Sequence, residues 1–223
     1  MIPLRLIDDR FEDNISLSGI QSNSKLIKNG NLFVAIDGNK DNGEDYIDEA
    51  VNKGAVAILT SNKRIKKENI PVIFNQNPRK KLSQLSKLFF PGSPDTICAV
   101  TGTNGKTSTV DFLYQIWELL GYNSATIGTL GVRSKKLNIN TVNTTPCPIK
   151  LHQTLDKLAK LRVSNLALEV SSHAIDQYRI NSVNLESACF TNLSLDHMDY
   201  HNSIQEYSCL LYTSDAADEE RGG

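Results

Sequence analysis

Two glycines, a lysine and three hydroxyl residues stand in the segment Gly102-Thr103-Asn104-Gly105-Lys106-Thr107-Ser108. It lies between the apolar run Thr96-Ile-Cys-Ala-Val100 and a stretch with helical periodicity. This arrangement suits the holding of a polyphosphate. A strand that feeds a helix through a Gly-rich turn aims successive backbone N–H groups, and the positive end of the helix, at one place. Lys106 can reach the β- and γ-phosphates there, and Thr107 can offer its hydroxyl to Mg²⁺. The spacing departs from the common eight-residue phosphate-loop pattern. Val100 occupies the position five residues before Gly105, and the earlier glycine is Gly102. Context supports the motif: residues 96–100 predict a buried strand, and Val110, Leu113, Trp117 and Leu120 predict the inner stripe of a helix over 106–120 that stops at Gly121. A Gly-rich turn without a ligand is the alternative.

Other residues that carry chemistry fall later. Glu169 sits in an apolar run, Asn165–Val170, and a carboxylate at the end of a buried strand suits Mg²⁺, which takes oxygen ligands and keeps several waters. In Asp196-His-Met-Asp-Tyr-His201, His197 and His201 have the i,i+4 spacing of zinc helices. Met198 stands where His-Glu-x-x-His has its glutamate, which argues against zinc. His201 and His173 read as hydrogen-bonding residues, and His152 as a solvated one on a helix face.

These residues need a scaffold, and the chain alternates strand and helix patterns. Apolar runs at 32–36, 55–59 and 71–74, with helical patterns at 46–53 and 79–90, predict a small α/β domain over residues 1–90. Pro91-Gly-Ser-Pro94 reads as a linker. The alternation then resumes, with strands at 96–100, 124–127, 165–170 and 187–191 and helices at 106–120 and 149–161. This predicts a doubly wound, mostly parallel sheet over 95–208, its strands buried on both faces. The polar clusters 101–107, 169–173 and 192–201 each follow a strand, so one crevice at the carboxyl ends can collect them.

Bulk properties narrow the class. With 223 residues and 39% hydrophobic composition the chain can bury one or two cores. A formal charge of −1 offers no nucleic-acid footprint, and the basic run Lys63-Arg-Ile-Lys-Lys67 reads as a solvated loop. No stretch approaches the ~20 apolar residues of a membrane span, and no signal peptide opens the chain, so a cytoplasmic protein is expected. Cys98, Cys147, Cys189 and Cys209 lack metal-binding spacing and read as reduced thiols.

Six segments in this order resemble the Mur ligase family over nearly all of residues 16–208. They are Ser24–Ala35, Val100–Thr107, Thr126-Ile-Gly-Thr-Leu-Gly131, Asn143-Thr-Thr-Pro146, Glu169-Val-Ser-Ser-His173 and Phe190–His201. Within the family the likeness is greatest to enzymes that add the third amino acid to UDP-N-acetylmuramoyl-L-alanyl-D-glutamate. The resemblance implies ATP-dependent amide formation, with a diamino acid, diaminopimelate or lysine, joined through an acyl phosphate. It implies that Gly102, Thr103, Asn104, Gly105, Lys106, Thr107 and Ser108 hold ATP. Lys106 and His197 then act in catalysis, while Thr107, Glu169 and His197 hold magnesium. Ser24 matches a uridine-nucleotide contact, with Asn39, Lys40 and Asp41 at the next one, where the family often has His-Gln in place of Asn39-Lys40. Asn143, Thr144, Thr145, Ser171, Gln177 and Arg179 match positions that grip the muramoyl-peptide. The position of the family's carbamylated lysine falls near Leu211, and its C-terminal domain has no counterpart, so a fragment without turnover of its own is expected. Cys209–Glu219 back-translates into a sequencing-adapter end, and 209–223 reads as a non-native tail. A folylpolyglutamate-synthase-like ligase and a non-catalytic nucleotide-binding module remain open as other readings of the same phosphate loop.

Overall fold

Short apolar runs become the parallel strands of two units. The structure, a computed structural model, describes residues 1–11, 15–38 and 41–194. The chain divides at Phe89/Phe90.

In the first unit, β1 (Ile2–Pro3) and β2 (Ser16–Leu17) form a small antiparallel ladder. Beside it in sequence come β3 (Gly19–Gln21), β4 (Asn31–Val34), β5 (Ala55–Thr60) and β6 (Val72–Phe74), which make a parallel sheet in that order. All four residues of β4 are buried, as expected of a central parallel strand covered on both faces. Helix α1 (Ile47–Asn52) lays Ile47 and Ala50 into a cluster with Ile27, Phe33 and Ile58. Helix α2 (Pro78–Phe89) begins one residue before the predicted start, because proline suits a first helical turn. Its inner face carries Leu82, Ser83, Leu85 and Ser86.

The second unit consists of β7 (Thr96–Thr101), α3 (Lys106–Leu119), β8 (Ser124–Gly128), β9 (Gly131–Ser134), β10 (Leu137–Ile139), α4 (Pro148–Lys160), β11 (Asn165–Glu169), α5 (Ser172–Asp176) and β12 (Ser187–Phe190). Its sheet order is β10-β9-β8-β11-β7-β12, with β8, β11, β7 and β12 parallel. Alternate strand residues serve opposite layers. Ile97, Ala99, Leu166 and Leu168 pack with Leu151, Leu155 and Leu158 of α4, whereas Val100 and Ala167 pack with Val110, Leu113 and Trp117 of α3. That two-sided covering is the doubly wound architecture the alternation predicts.

Four expectations change. The β9–β10 hairpin, where the sequence reading assigns no element, adds an antiparallel edge; it is too polar to announce itself as strand. Strand β12, expected to be buried, is exposed at all four residues because it is the outermost of the sheet. Leu120 lies one residue past α3 and is 68% exposed, so the inner stripe ends at Trp117. His152 is 2% exposed within α4 rather than solvated.

Candidate functional site

The turn from β7 into α3 is built by glycines at two left-handed positions, Gly102 (φ +127) and Gly105 (φ +84). At Gly102 even a methyl group is excluded, since a Cβ would stand 2.3 Å from Thr191 Oγ1 and 2.9 Å from the Asn192 carbonyl. The ladder of α3 begins with the Thr109 N–H on the Gly105 carbonyl, 2.9 Å, so the first-turn amides of Gly105, Thr107 and Ser108 precede it at the positive end of the helix. Lys106 folds over the turn and donates from Nζ to the carbonyls of Gly102 (2.6 Å) and Thr103 (2.7 Å). The N–H groups of Thr103 and Asn104 turn the other way, to the Asn192 carbonyl (2.9 Å) and Asn192 Oδ1 (3.0 Å).

Glu169, the last residue of β11, is 2% exposed and faces this turn. Its carboxylate accepts from Thr107 Oγ1 at 3.0 Å, from the Thr129 N–H at 3.1 Å and from Thr129 Oγ1 at 3.0 Å. Such an approach needs a glycine beside it, because a Cβ at Gly128 would lie 2.1 Å from Glu169 Oε1. Neither Thr129 nor Gly128 was assigned a role from sequence. The segment Thr126–Gly131 marked the place, but spacing alone does not show which main chain a buried carboxylate leans on.

The opposite wall comes from the 143–146 loop and α5. Together with the turn they enclose a cleft of about 440 Å³ that collects Thr103–Thr107, Thr129, Asn143, Thr144, Thr145, Glu169, Ser171, His173 and Arg179. Thr144 Oγ1 meets Thr129 Oγ1 at 3.1 Å. The Thr145 hydroxyl is committed internally: it donates to the Glu169 carbonyl (2.8 Å) and accepts the Ser171 N–H (3.1 Å), so Thr145 faces the cleft only with other atoms. Ser171 caps α5 by accepting the Ala174 N–H at 3.3 Å. Arg179 donates to the Thr145 carbonyl (2.6 Å) and to Gln177 Oε1 (2.9 Å). These bonds aim a planar, always charged guanidinium along the cleft wall. Tyr178, at φ +56, makes the left-handed turn that separates Gln177 from Arg179.

Ser24 belongs to the first unit and lies in a separate cleft of about 380 Å³ with Asn23, Lys25, Phe33, Asp41 and Tyr46. Its hydroxyl donates to Glu49 Oε2 at 2.7 Å, leaving its oxygen to accept. Hydrogen bonds from Lys53, first, and from Ser24 hold the Glu49 carboxyl below its ordinary pKa. Asn39, Lys40, His197, His201 and the tail from Cys209 lie outside the described residues.

Among the described residues no three His, Cys, Asp or Glu side chains gather into a metal cage. The oxygen set of Glu169 and Thr107, next to a phosphate-type turn, nonetheless fits Mg²⁺, which needs few protein ligands beside phosphate and water. Zinc, with its nitrogen and sulfur preference, does not fit these oxygens.

Known proteins share this organisation. Residues 100–209 match the Mur ligase middle domain, and residues 16–90 match the domain described as Mur ligase family, catalytic domain. UDP-N-acetylmuramoyl-L-alanyl-D-glutamate–2,6-diaminopimelate ligase of Bradyrhizobium diazoefficiens is 45% identical over 193 residues, which are 86% of this chain and 40% of that protein. The protein of the same name from Agrobacterium fabrum is 43% identical over 193 residues, covering 86% of this chain and 39% of its own length. A solved structure of a ligase of that name superimposes with a TM-score of 0.77 at 25% identity, over 94% of this chain and 44% of that one. The chain thus spans about 40% of the length of the curated relatives it matches. Two matched domains in family order, and a phosphate turn and acidic strand end brought into one cleft, make this chain a member of the Mur ligase family.

Proposed function

We propose that this chain carries the UDP-substrate and ATP-phosphate parts of a ligase. That ligase joins diaminopimelate to UDP-N-acetylmuramoyl-L-alanyl-D-glutamate in the making of a peptidoglycan precursor, in the cytoplasm. The observation that carries the reading is the single cleft in which Lys106, Thr107 and Glu169 face Thr144 and Arg179. An ATP phosphate chain and an acidic acceptor can meet there. The amino acid is chosen on the printed activity of the relatives.

The reaction divides into two displacements. The D-glutamyl γ-carboxylate attacks the γ-phosphorus of ATP, the bond to the β-phosphate oxygen breaks, and ADP leaves an acyl phosphate. The diaminopimelate amine then attacks the acyl carbon, loses a proton, and phosphate departs. Phosphoryl transfer is mostly a matter of alignment and charge neutralisation. Lys106 supplies the ammonium and the first turn of α3 its N–H groups. Arg179 would take an anionic group of the muramoyl-peptide, and Asn143 and Thr144 would orient it. Thr107 and Glu169 would hold Mg²⁺, which supplies further neutralisation of phosphate charge. Ser24 would accept a hydrogen bond from the uridine nucleotide.

The test is calorimetric titration of the chain with Mg²⁺·ADP and, separately, with the UDP-linked dipeptide. Both are expected to bind, with Lys106→Ala removing the first and sparing the second. Retained Mg²⁺·ADP binding in Lys106→Ala would sink the assignment of the turn.

A further inference from the structure

The phosphate turn has a freedom that its own sequence does not remove. Gly102 and Gly105 flank Thr103 and Asn104, and glycine is the residue with most backbone freedom to lose. A turn hinged at both ends holds its shape only if something outside holds the middle.

That hold comes from the residues after β12. Asn192 Oδ1 accepts the Asn104 N–H at 3.0 Å, and its Nδ2 donates to the Asn104 carbonyl at 3.1 Å. One side-chain amide therefore grips both sides of a single residue's main chain, as a neighbouring strand would. The Asn192 carbonyl adds the Thr103 N–H at 2.9 Å, and Thr191 Oγ1 donates to the Asn104 carbonyl at 2.7 Å. The Ser194 N–H reaches Thr103 Oγ1 at 3.0 Å. Gly102 admits this contact only because it lacks a Cβ.

We propose that Asn192 is a positioning residue for nucleotide binding: it locks the middle of the phosphate turn from outside and so fixes where the phosphate chain can lie. The inference rests on the nucleotide reading of the turn. Two consequences follow from the geometry. The amides of Thr103 and Asn104 are spent on Asn192, so the anion is directed toward Gly105–Ser108 at the start of α3. The ordering of the turn is also completed before ligand arrives, so binding does not bear its cost.

The experiment compares the unaltered 223-residue chain with Asn192→Ala and Asn192→Asp. It measures Mg²⁺·ADP affinity by calorimetry, melting temperature, and hydrogen exchange at single amides without nucleotide. Asn192→Ala is expected to weaken Mg²⁺·ADP roughly tenfold to thirtyfold, about what two neutral hydrogen bonds are worth. Exchange at Asn104 speeds up while Thr103, still bonded to the main-chain carbonyl, stays protected. Asn192→Asp keeps the acceptor, loses the donor and adds a negative charge. Its affinity falls further than that of Asn192→Ala at low salt, and the gap narrows as salt rises. A purely structural role would instead lower the melting temperature and speed exchange at Asn104 while leaving Mg²⁺·ADP affinity unmoved. Affinity of Asn192→Ala within twofold of the unaltered chain overturns this proposal alone. Absence of binding by the unaltered chain overturns the nucleotide reading and the proposal with it. Should Asn192→Ala not fold, the folded Asn192→Asp variant decides by the same affinity criterion.

Discussion

Replacing Gly128 with alanine tests whether the placement of Glu169 depends on a missing methyl group. The backbone at 128 is outside the left-handed region, so alanine meets no torsional penalty there, and a strand gains roughly 0.5–1 kcal/mol when glycine becomes alanine. Against this, the new Cβ would stand 2.1 Å from Oε1, 2.4 Å from Cδ and 2.6 Å from Cγ of Glu169, where ordinary contact begins at 3.4 Å. The carboxylate must retreat by more than 1 Å, which carries its bonds to Thr107, the Thr129 N–H and Thr129 Oγ1 past hydrogen-bonding range. Bonds to a charged acceptor contribute about 1.5–3 kcal/mol each. Water reaching the displaced carboxylate recovers part of that, and we expect a net loss of about 3 kcal/mol. A double-mutant cycle with Glu169→Ala isolates the clash. Urea unfolding of the four proteins can be followed by Trp117, the chain's single tryptophan, which packs beside Val110 in the second unit. With Glu169 trimmed away, Gly128→Ala should cost about nothing or stabilise slightly. An equal cost in both backgrounds would refute the reasoning.

Three further outcomes are expected. Gly102→Ala, with φ +127 and a Cβ 2.3 Å from Thr191 Oγ1, should destabilise by more than about 3 kcal/mol, whereas Gly121→Ala, at φ +86 with nothing within 4 Å, should cost only about 1–2 kcal/mol in thermal or urea melts. Thr145→Val keeps the shape but leaves the Glu169 carbonyl and the Ser171 N–H without the hydroxyl, at a cost of about 2–3 kcal/mol in urea unfolding. Burial raises the Glu118 pKa, but hydrogen bonds from Lys135 and the Ser124 N–H outweigh it, so this carboxyl titrates below its ordinary value of 4.5. Its contribution is present above pH 4.5 and lost as pH falls through the lower folded value. The stability gap between wild type and Glu118→Gln should therefore be at most about 1 kcal/mol near neutrality and close at acid pH in pH-dependent melts.

Largely apolar runs of strand length betrayed β4, β5, β7 and β11, because strands covered on both faces are mostly apolar, and the strand–helix alternation placed β8 although Ser124 and Thr126 interrupt it. The hairpin β9–β10 escaped notice since Arg133, Ser134, Lys135 and Lys136 give it the composition of a loop. Helical spacing placed Val110, Leu113 and Trp117 inward but did not show that Phe112, Ile116 and Leu119 form a second apolar row, exposed at 63%, 52% and 88%. Within the cleft, Lys106, Thr107 and Glu169 were legible because their chemistry is named by residue type. Gly128, Thr129 and Asn192 were not, since their roles arise from close approach between segments far apart in sequence.

The fold of Lys106 over its own turn bears on discrimination among anions. Its ammonium rests on two carbonyls, at 2.6 and 2.7 Å, and any ligand that recruits it must replace both. Chloride brings one charge on one atom, and acetate one charge shared by two oxygens with nothing left for the α3 amides, so in ordinary buffers the exchange does not favour either. Under the nucleotide reading, a phosphate chain would present several oxygens at once, to the lysine and to the α3 amides together, and offset both lost contacts in one arrival. On that reading the turn would act as a threshold device, quiet toward simple salts and responsive where valence and geometry come together.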